Sequence, residues 1–185
     1  MTSDAHSSDE PALFETKRLR CRRWIASDID ALTQVYGDAQ AMRWVGDGEP
    51  LSREGCEAWL EVTARNYRTR GYGMFALEAP STREIVGFCG LVHTGGQVEA
   101  EVKYTLRRES WGRGLATEAV RALLSYGAAA HGLRRIIATV APFNHASQRV
   151  LTKAGMTRIL VRRNDDETCT HVFEWLAPPA DERSR

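Results

Sequence analysis

Trp111-Gly112-Arg113-Gly114-Leu115-Ala116-Thr117-Glu118-Ala119 sets two glycines one residue apart at the entry to an amphipathic helix. Glycine lacks the Cβ that keeps a ligand off the main chain. The first turn of a helix also leaves N–H groups without intrahelical partners, backed by the positive end of the macrodipole. The stretch therefore reads as an anion cradle made of backbone, suited to phosphate or pyrophosphate. The alternative is a tight loop ahead of a core helix. The helix carries Leu115, Ala119, Val120, Leu123, Leu124, Gly127 and Ala128 on one face, Arg121 and Ser125 on the other, and Gly132 at its end. Two nucleotide motifs fail on spacing. A dinucleotide fingerprint needs a third Gly or Ala where Thr117 stands, and the Gly-Lys-Ser/Thr of a Walker A loop does not occur.

The elements around this stretch alternate. Residues 1–12 and 177–185 read as disordered tails around a single domain spanning 13–176. A first strand is expected at 16–25, followed by a helix that starts at a Ser27/Asp30 capping box and ends near Gly37. Ser52 caps a long helix that stops at Gly71. Strands at 74–78, 85–92 and 99–106, turned by Pro80-Ser81-Thr82 and Gly95-Gly96, form an antiparallel meander. After the glycine run and its helix come a buried strand at 135–141 and a short helix capped by Asn144 and closed at Gly155. A hairpin of 158–163 and 168–175 turns at Asn164-Asp165-Asp166-Glu167. The fold class is α/β (α+β), a mixed and mostly antiparallel sheet with helices on both faces.

Composition narrows the function. A chain of 185 residues with 43% hydrophobic content has the length of one domain and the means for a core. A formal charge of +1 argues against nucleic acid as a partner. The arginines at 18, 20, 22 and 23, and at 158, 162 and 163, alternate with other residues and read as solvent faces of strands. Residues 1–11 are polar and acidic, unlike a signal peptide, and no apolar run approaches the roughly 20 residues that span a bilayer. The expectation is a cytoplasmic protein with no membrane partner. Cys21, Cys56, Cys89 and Cys169 are scattered, with no Cys-x-x-Cys and no His at ligand spacing, so neither a metal site nor a disulfide framework is expected.

Three segments in this order and separation, Ala100-Glu101-Val102-Lys103-Tyr104-Thr105-Leu106, the glycine run, and Asn144-His145-Ala146-Ser147-Gln148-Arg149-Val150-Leu151-Thr152-Lys153-Ala154-Gly155-Met156, resemble the GNAT superfamily of acetyl-CoA-dependent N-acetyltransferases. The similarity is to the branch of RimJ/RimL-like ribosomal-protein N-terminal acetyltransferases. Glu15-Thr16-Lys17-Arg18-Leu19-Arg20 and Ile85-Val86-Gly87-Phe88-Cys89-Gly90-Leu91 extend it over nearly the whole chain outside the tails. The resemblance implies a splayed strand pair, acetyl-CoA as co-substrate, and direct transfer in a ternary complex to a primary amine, either a protein N-terminus or a small molecule. It allows a homodimer. No cysteine lies in the motifs to carry an acyl-enzyme.

Acyl transfer to an amine requires holding the cofactor, deprotonating an ammonium and stabilising an oxyanion while a thiolate departs. By resemblance, the main chain of Trp111, Gly112, Arg113, Gly114, Leu115, Ala116 and Thr117 holds the pyrophosphate, with Arg113 adding charge at the rim. Trp111 stands where the family usually has Gln or Arg. The main chain of Tyr104, Thr105 and Leu106 resembles the strand edge that pairs with pantetheine, and an N–H near Leu106 the oxyanion donor. Glu101 matches the branch's base, which requires a pKa raised by partial burial. Lys103, on the same strand face, would lower it; the alternative is an exposed strand pair with Glu99. Ser147 matches the residue that protonates the thiolate, since Leu151 occupies the position where many members have tyrosine. Asn144 would anchor the pantetheine amide or a water. Arg149 and Lys153 face solvent or the cofactor phosphates. Trp44, Trp59, Tyr67 and Tyr72 are the aromatics of the acceptor side, most of them equally explained by a core role, and beside Trp44 the side chains of Asp47 and Glu49 would receive a cationic acceptor. Two alternatives remain, a non-catalytic acyl-CoA-binding regulator on the same fold and a module for a different nucleotide.

Overall fold

The computed structural model describes residues 10–164 and 166–179. Most of the two segments read as tails therefore lies outside the described residues. The strands are β1 (Ala12–Glu15), β2 (Arg20–Arg23), β3 (Met74–Glu78), β4 (Ile85–Val92), β5 (Ala100–Leu106), β6 (Arg135–Val140), β7 (Thr157–Arg163) and β8 (Cys169–Leu176). The helices are α1 (Ile29–Tyr36), α2 (Ala39–Met42), α3 (Arg53–Arg70), α4 (Leu115–His131) and α5 (His145–Lys153). The strands form one eight-stranded sheet ordered β1-β2-β3-β4-β5-β6-β8-β7. Every neighbouring pair is antiparallel except β5 and β6.

That exception positions the site. β5 pairs with β4 along its length, from Val92↔Glu101 to Gly87↔Leu106, and β6 pairs with β8 from Arg135↔Leu176 to Val140↔His171. Between themselves they are paired only at Ala100↔Ile136 and Glu101↔Ile137. Beyond those pairs the sheet opens into a wedge.

Strand alternation separates two apolar clusters. Phe75, Leu77, Cys89 and Leu91 pack with Leu115, Ala119, Val120, Leu123 and Leu124 of α4. Met74, Ala76 and Phe88 pack with Leu32, Val35, Tyr36 and Cys56 of α1 and α3. Gly127 lets α4 lie close to the sheet, because a Cβ there would stand 2.9 Å from Leu91 Cδ1.

Three local expectations are corrected. The strand expected at 16–25 shrinks to β2, because residues 16–19 form the tight turn that leads into it from β1, with Thr16 N donating to Leu19 O at 2.8 Å and Leu19 N to Thr16 Oγ1 at 3.0 Å. The Ser27/Asp30 capping box does not form; Asp28 accepts from Ile25 N at 2.9 Å, and α1 starts at Ile29. α2 was not expected, although Asp38 caps it by accepting from Gln40 N and Ala41 N.

The arginines at the chain's start are corrected as well. Arg20 and Arg22 are buried, at 8% and 2% exposure, where solvent faces were expected. Glu78, itself 1% exposed, sits between them and also meets Arg83 Nε at 3.1 Å, and Arg22 forks onto Asp28 at 2.6 and 2.8 Å. Removing one member of a buried ionic cluster strands the rest without compensation. Glu78→Ala is therefore expected to lower unfolding free energy by about 3–5 kcal/mol, read as a drop in urea midpoint at unchanged slope. A loss under about 1 kcal/mol, the range of an exposed pair, would contradict this placement.

Candidate functional site

The wedge between β5 and β6 continues into a cavity of about 830 Å³ that passes from the α2 side of the sheet to the N-terminus of α4 and the first turn of α5. A volume of that order suits a substantial organic ligand. One of its ends is the glycine loop. Gly112 and Gly114 have φ of +72° and +77°, which glycine alone adopts without strain. The N–H groups of Gly114, Leu115, Ala116 and Thr117 donate no hydrogen bond among the described residues, since the first helical bond runs from Glu118 N to Gly114 O at 3.2 Å. A Cβ on Gly112 would meet nothing within 4 Å, so the loop is open, not packed over.

Two side chains brace this loop. Trp111 Nε1 donates to Leu106 O at 2.7 Å, tying the loop to the end of β5. Arg18 donates to Arg113 O at 2.7 Å and pairs with Glu118 at 2.6 Å, offsetting an acid in the first turn of α4. Arg113 itself is exposed and does not line the cleft. The first role was hidden because the motif position was read for its main chain, the second because Arg18 lies nearly a hundred residues earlier in the sequence.

The free edge of β5 follows from ladder alternation. Arg107 N donates to Val86 O at 2.8 Å, so Thr105 and Lys103 also turn their main-chain groups towards β4, and Tyr104 and Leu106 turn theirs into the wedge. Thr105 is thus removed from the expected open edge. Its hydroxyl donates to Ala41 O at 3.0 Å and holds α2 against the strand. The carbonyl of Leu106 is taken by Trp111.

The wedge brings together a hydroxyl pair. Tyr104 Oη lies 2.8 Å from Ser147 Oγ, and both residues line the cleft. Burial pushes the Tyr104 phenol up to about 12, only partly offset by the hydrogen bond from Ser147, so it stays protonated. Leu151 is buried in the core as the helix pattern requires. The phenol beside Ser147 comes instead from β5, and the signal for it was alternation: Tyr104 lies on the opposite strand face from Lys103. Asn144 Oδ1 accepts from Ser147 N at 3.0 Å and fixes the turn that presents the serine. Arg149 and Lys153 line the cleft from α5.

Glu101 lies one layer behind the cleft wall. It is 1% exposed, and Lys103 and Thr139, which do line the cleft, cover it. Lys103 Nζ donates to its Oε1 at 2.6 Å, Thr139 N at 3.2 Å and the Thr139 hydroxyl more closely, while Gln97 Nε2 reaches Oε2 at 3.3 Å. Burial alone would raise this carboxyl's pKa. The Lys103 charge and hydrogen bond, with the Thr139 and Thr94 hydroxyls, outweigh burial and hold it below the ordinary value. The raised pKa expected of a base is therefore reversed. Glu99 joins no strand pair with these two; Arg135 holds it.

Of the acceptor-side aromatics, Trp44 lines the cleft. Trp59 packs on Tyr36 and Trp24, Tyr67 donates to Met74 O, and Tyr72 bonds His93. Asp47 and Glu49 do not line the cleft; Asp47 closes a turn by accepting from Glu49 N at 3.1 Å. Among the described residues, no group of three or more His, Cys, Asp or Glu is placed to hold a metal. No described helix is long and apolar enough to cross a membrane.

A family model described as the acetyltransferase (GNAT) domain matches residues 18–157. The uncharacterized N-acetyltransferase YoaA of Bacillus subtilis is 30% identical over 173 residues, covering 90% of this chain and 97% of that protein. An acetyltransferase structure from Agrobacterium tumefaciens aligns at 25% identity with a TM-score of 0.76, covering 90% of this chain and 95% of the other. RimL, the ribosomal L7/L12 alpha-N-protein acetyltransferase solved with coenzyme A, shares the fold at 18% identity and a TM-score of 0.77, with 90% and 98% covered.

The charge network is testable by itself. Removing the Lys103 ammonium leaves burial, the largest influence on Glu101, with less to oppose it, so Lys103→Met should raise the carboxyl's titration midpoint. Carboxyl-carbon NMR reads this directly. The wild-type carboxyl, lowered on folding, contributes stability above its unfolded pKa that is lost as pH falls through its folded one. The variant should lose that contribution at higher pH. A midpoint that stays put would remove Lys103 as the cause.

Proposed function

The chain belongs to the acetyltransferase (GNAT) domain family, and from that premise we propose that it moves an acetyl group from acetyl-CoA to a primary amine by direct transfer within the wedge. One observation carries this reading: a sheet opened between β5 and β6, with helix N–H groups unpartnered among the described residues at one end and a half-buried hydroxyl pair inside. Acetyl-CoA supplies the thioester. The N–H groups of Gly114, Leu115, Ala116 and Thr117, with Gly112 giving access, bind its diphosphate. Arg149 and Lys153 add positive charge there. The Tyr104 main chain receives the pantetheine arm as an added strand edge, and the Leu106 N–H is the oxyanion donor. The free amide nitrogen of Asn144 meets the arm from α5.

The new N–C bond forms as the C–S bond breaks. Tyr104 and Ser147 form the proton path to the departing sulfur, the phenol kept neutral by burial and the proton restored to the pair by the one the attacking nitrogen sheds as it becomes an amide. Glu101 is a positioning residue. Buried and ionised, it orients Lys103 and Thr139 at the acceptor side, and the ammonium proton of the acceptor leaves to solvent. Transfer without a cysteine intermediate agrees with the lining of the cleft, which holds none.

A second reading, an acyl-CoA-binding protein that does not turn over, is favoured by the one observation that Lys103 holds Glu101's pKa low. A thiol-release assay over a panel of amines and N-terminal peptides separates the two. Amine-dependent release supports transfer. Tight coenzyme A binding in calorimetry, with no release even at alkaline pH where amines are neutral, supports the second reading.

The hydroxyl pair makes a sharper demand. Tyr104→Phe and Ser147→Ala should each lower kcat by about 10²-fold, the usual reach of one acid–base group, with little change in KM for acetyl-CoA. The double variant should fall hardly further, because the two act as one unit. Independent, multiplying losses would separate them. For Glu101→Gln, a loss of activity parallel at all pH values fits positioning, whereas a loss confined to neutral pH restores the role of base.

A further inference from the structure

The charge along the cleft is one-sided. Its charged lining residues are Arg43, Lys103, Arg149 and Lys153, and among the described residues no Asp or Glu lines it. Arg149 and Lys153 lie on α5, beside the end assigned to the cofactor phosphates. Arg43 and Lys103 lie at the α2 side. Lys103 shares a strand face with Thr105, whose hydroxyl bonds Ala41 O of α2, and Arg43 follows directly after that helix.

Neither cation is used up by the fold. Lys103 donates to Glu101 Oε1 at 2.6 Å and to Thr139 Oγ1 at 3.4 Å, but that carboxylate is also served by Thr139 and Gln97, and the Lys103 side chain remains 27% exposed. Arg43 makes no hydrogen bond or ion pair among the described residues, and its guanidinium rests 4.9 Å from the ring centroid of Trp44. The acids nearest in sequence are occupied elsewhere. Asp38 caps α2 and holds Arg108 at 2.7 Å, while Asp47 closes its own turn.

We infer that the acceptor amine carries an anionic group, a carboxylate, close to the reacting nitrogen, and that Lys103 and Arg43 receive it. The inference rests on the proposed transfer reaction and narrows its acceptor. Glu101 offsets part of the Lys103 charge, and Arg43 adds one that no acid among the described residues offsets, so the α2 side disfavours polyamines and other polycationic acceptors. An attached carboxylate satisfies the same cations. It is also the partner that an unpaired guanidinium takes in forked geometry. A free amino acid and the N-terminus of an acidic peptide both supply this chemistry.

The test is thiol release at saturating acetyl-CoA with matched acceptors: alanine against alaninamide, a tetrapeptide with aspartate and glutamate after its first residue against one with lysines there, and spermidine. The carboxylate-bearing member of at least one pair should exceed its counterpart in kcat/KM by roughly tenfold or more, the worth of one charge-assisted contact. Which pair responds tells the free amino acid from the peptide. Arg43→Glu should shrink that preference by about the same factor. Equal rates within both pairs, or spermidine as the best acceptor, would overturn the inference and leave acetyl transfer standing. Coenzyme A binding with no amine turned over would overturn both.

Discussion

Every feature of the site follows from how β5 and β6 are held. Each strand is fully committed on its outer side, β5 to β4 and β6 to β8, so the two ladders fix their directions independently. Sheet twist then separates them after two residue pairs. A separated strand pair exposes main-chain donors and acceptors to whatever enters, and such groups are costly to leave unmet. The Trp111 indole meets one of them at Leu106 O, which also fastens the glycine loop to the strand's end. The opening and the anion cradle are thus one construction, and the sheet supplies its rigidity.

The electrostatics of the opening divide along its length. At the α4 end the positive potential joins backbone N–H groups to the Arg149 and Lys153 side chains, and the Glu118 carboxylate there is offset by Arg18. At the α2 side the potential comes from side chains, and it is tempered by the buried Glu101. The pKa of Glu101 lies below the ordinary value because hydrogen bonds and the Lys103 charge exceed the burial penalty, so the two form an ion pair inside the fold. The buried position of Glu101 and the partial exposure of Lys103 then leave the cation as the group presented to the cleft.

Much of this was legible in the sequence because it rests on local periodicity. The apolar face of α4, the Ser52 and Asn144 caps, and the strands of the β3–β5 meander all follow from patterns a few residues long. What was not legible depends on residues far apart in sequence. Arg20 and Arg22 alternate like surface residues, yet Glu78, more than fifty positions away, draws both into the interior. The Tyr104–Ser147 contact spans 43 positions and joins two elements whose patterns are independent of one another. The short helix α2 has only four residues and no periodicity to read, although the Asp38 cap marks its start.

Backbone recognition at one end and side-chain recognition at the other have different consequences for substitution. A loop of N–H groups tolerates changes of side chain so long as the glycines keep their positive φ, and the Trp111 side chain is free to brace it. The α2 side has no such buffering. Its character is set by the side chains at 43, 44, 103 and 139, all lining the cleft, and a single change of charge there alters what the opening attracts. A fold shared at 18% identity with a ribosomal-protein acetyltransferase carries no acceptor with it. The identity of the acceptor has to be argued from the charges of this chain's own wedge.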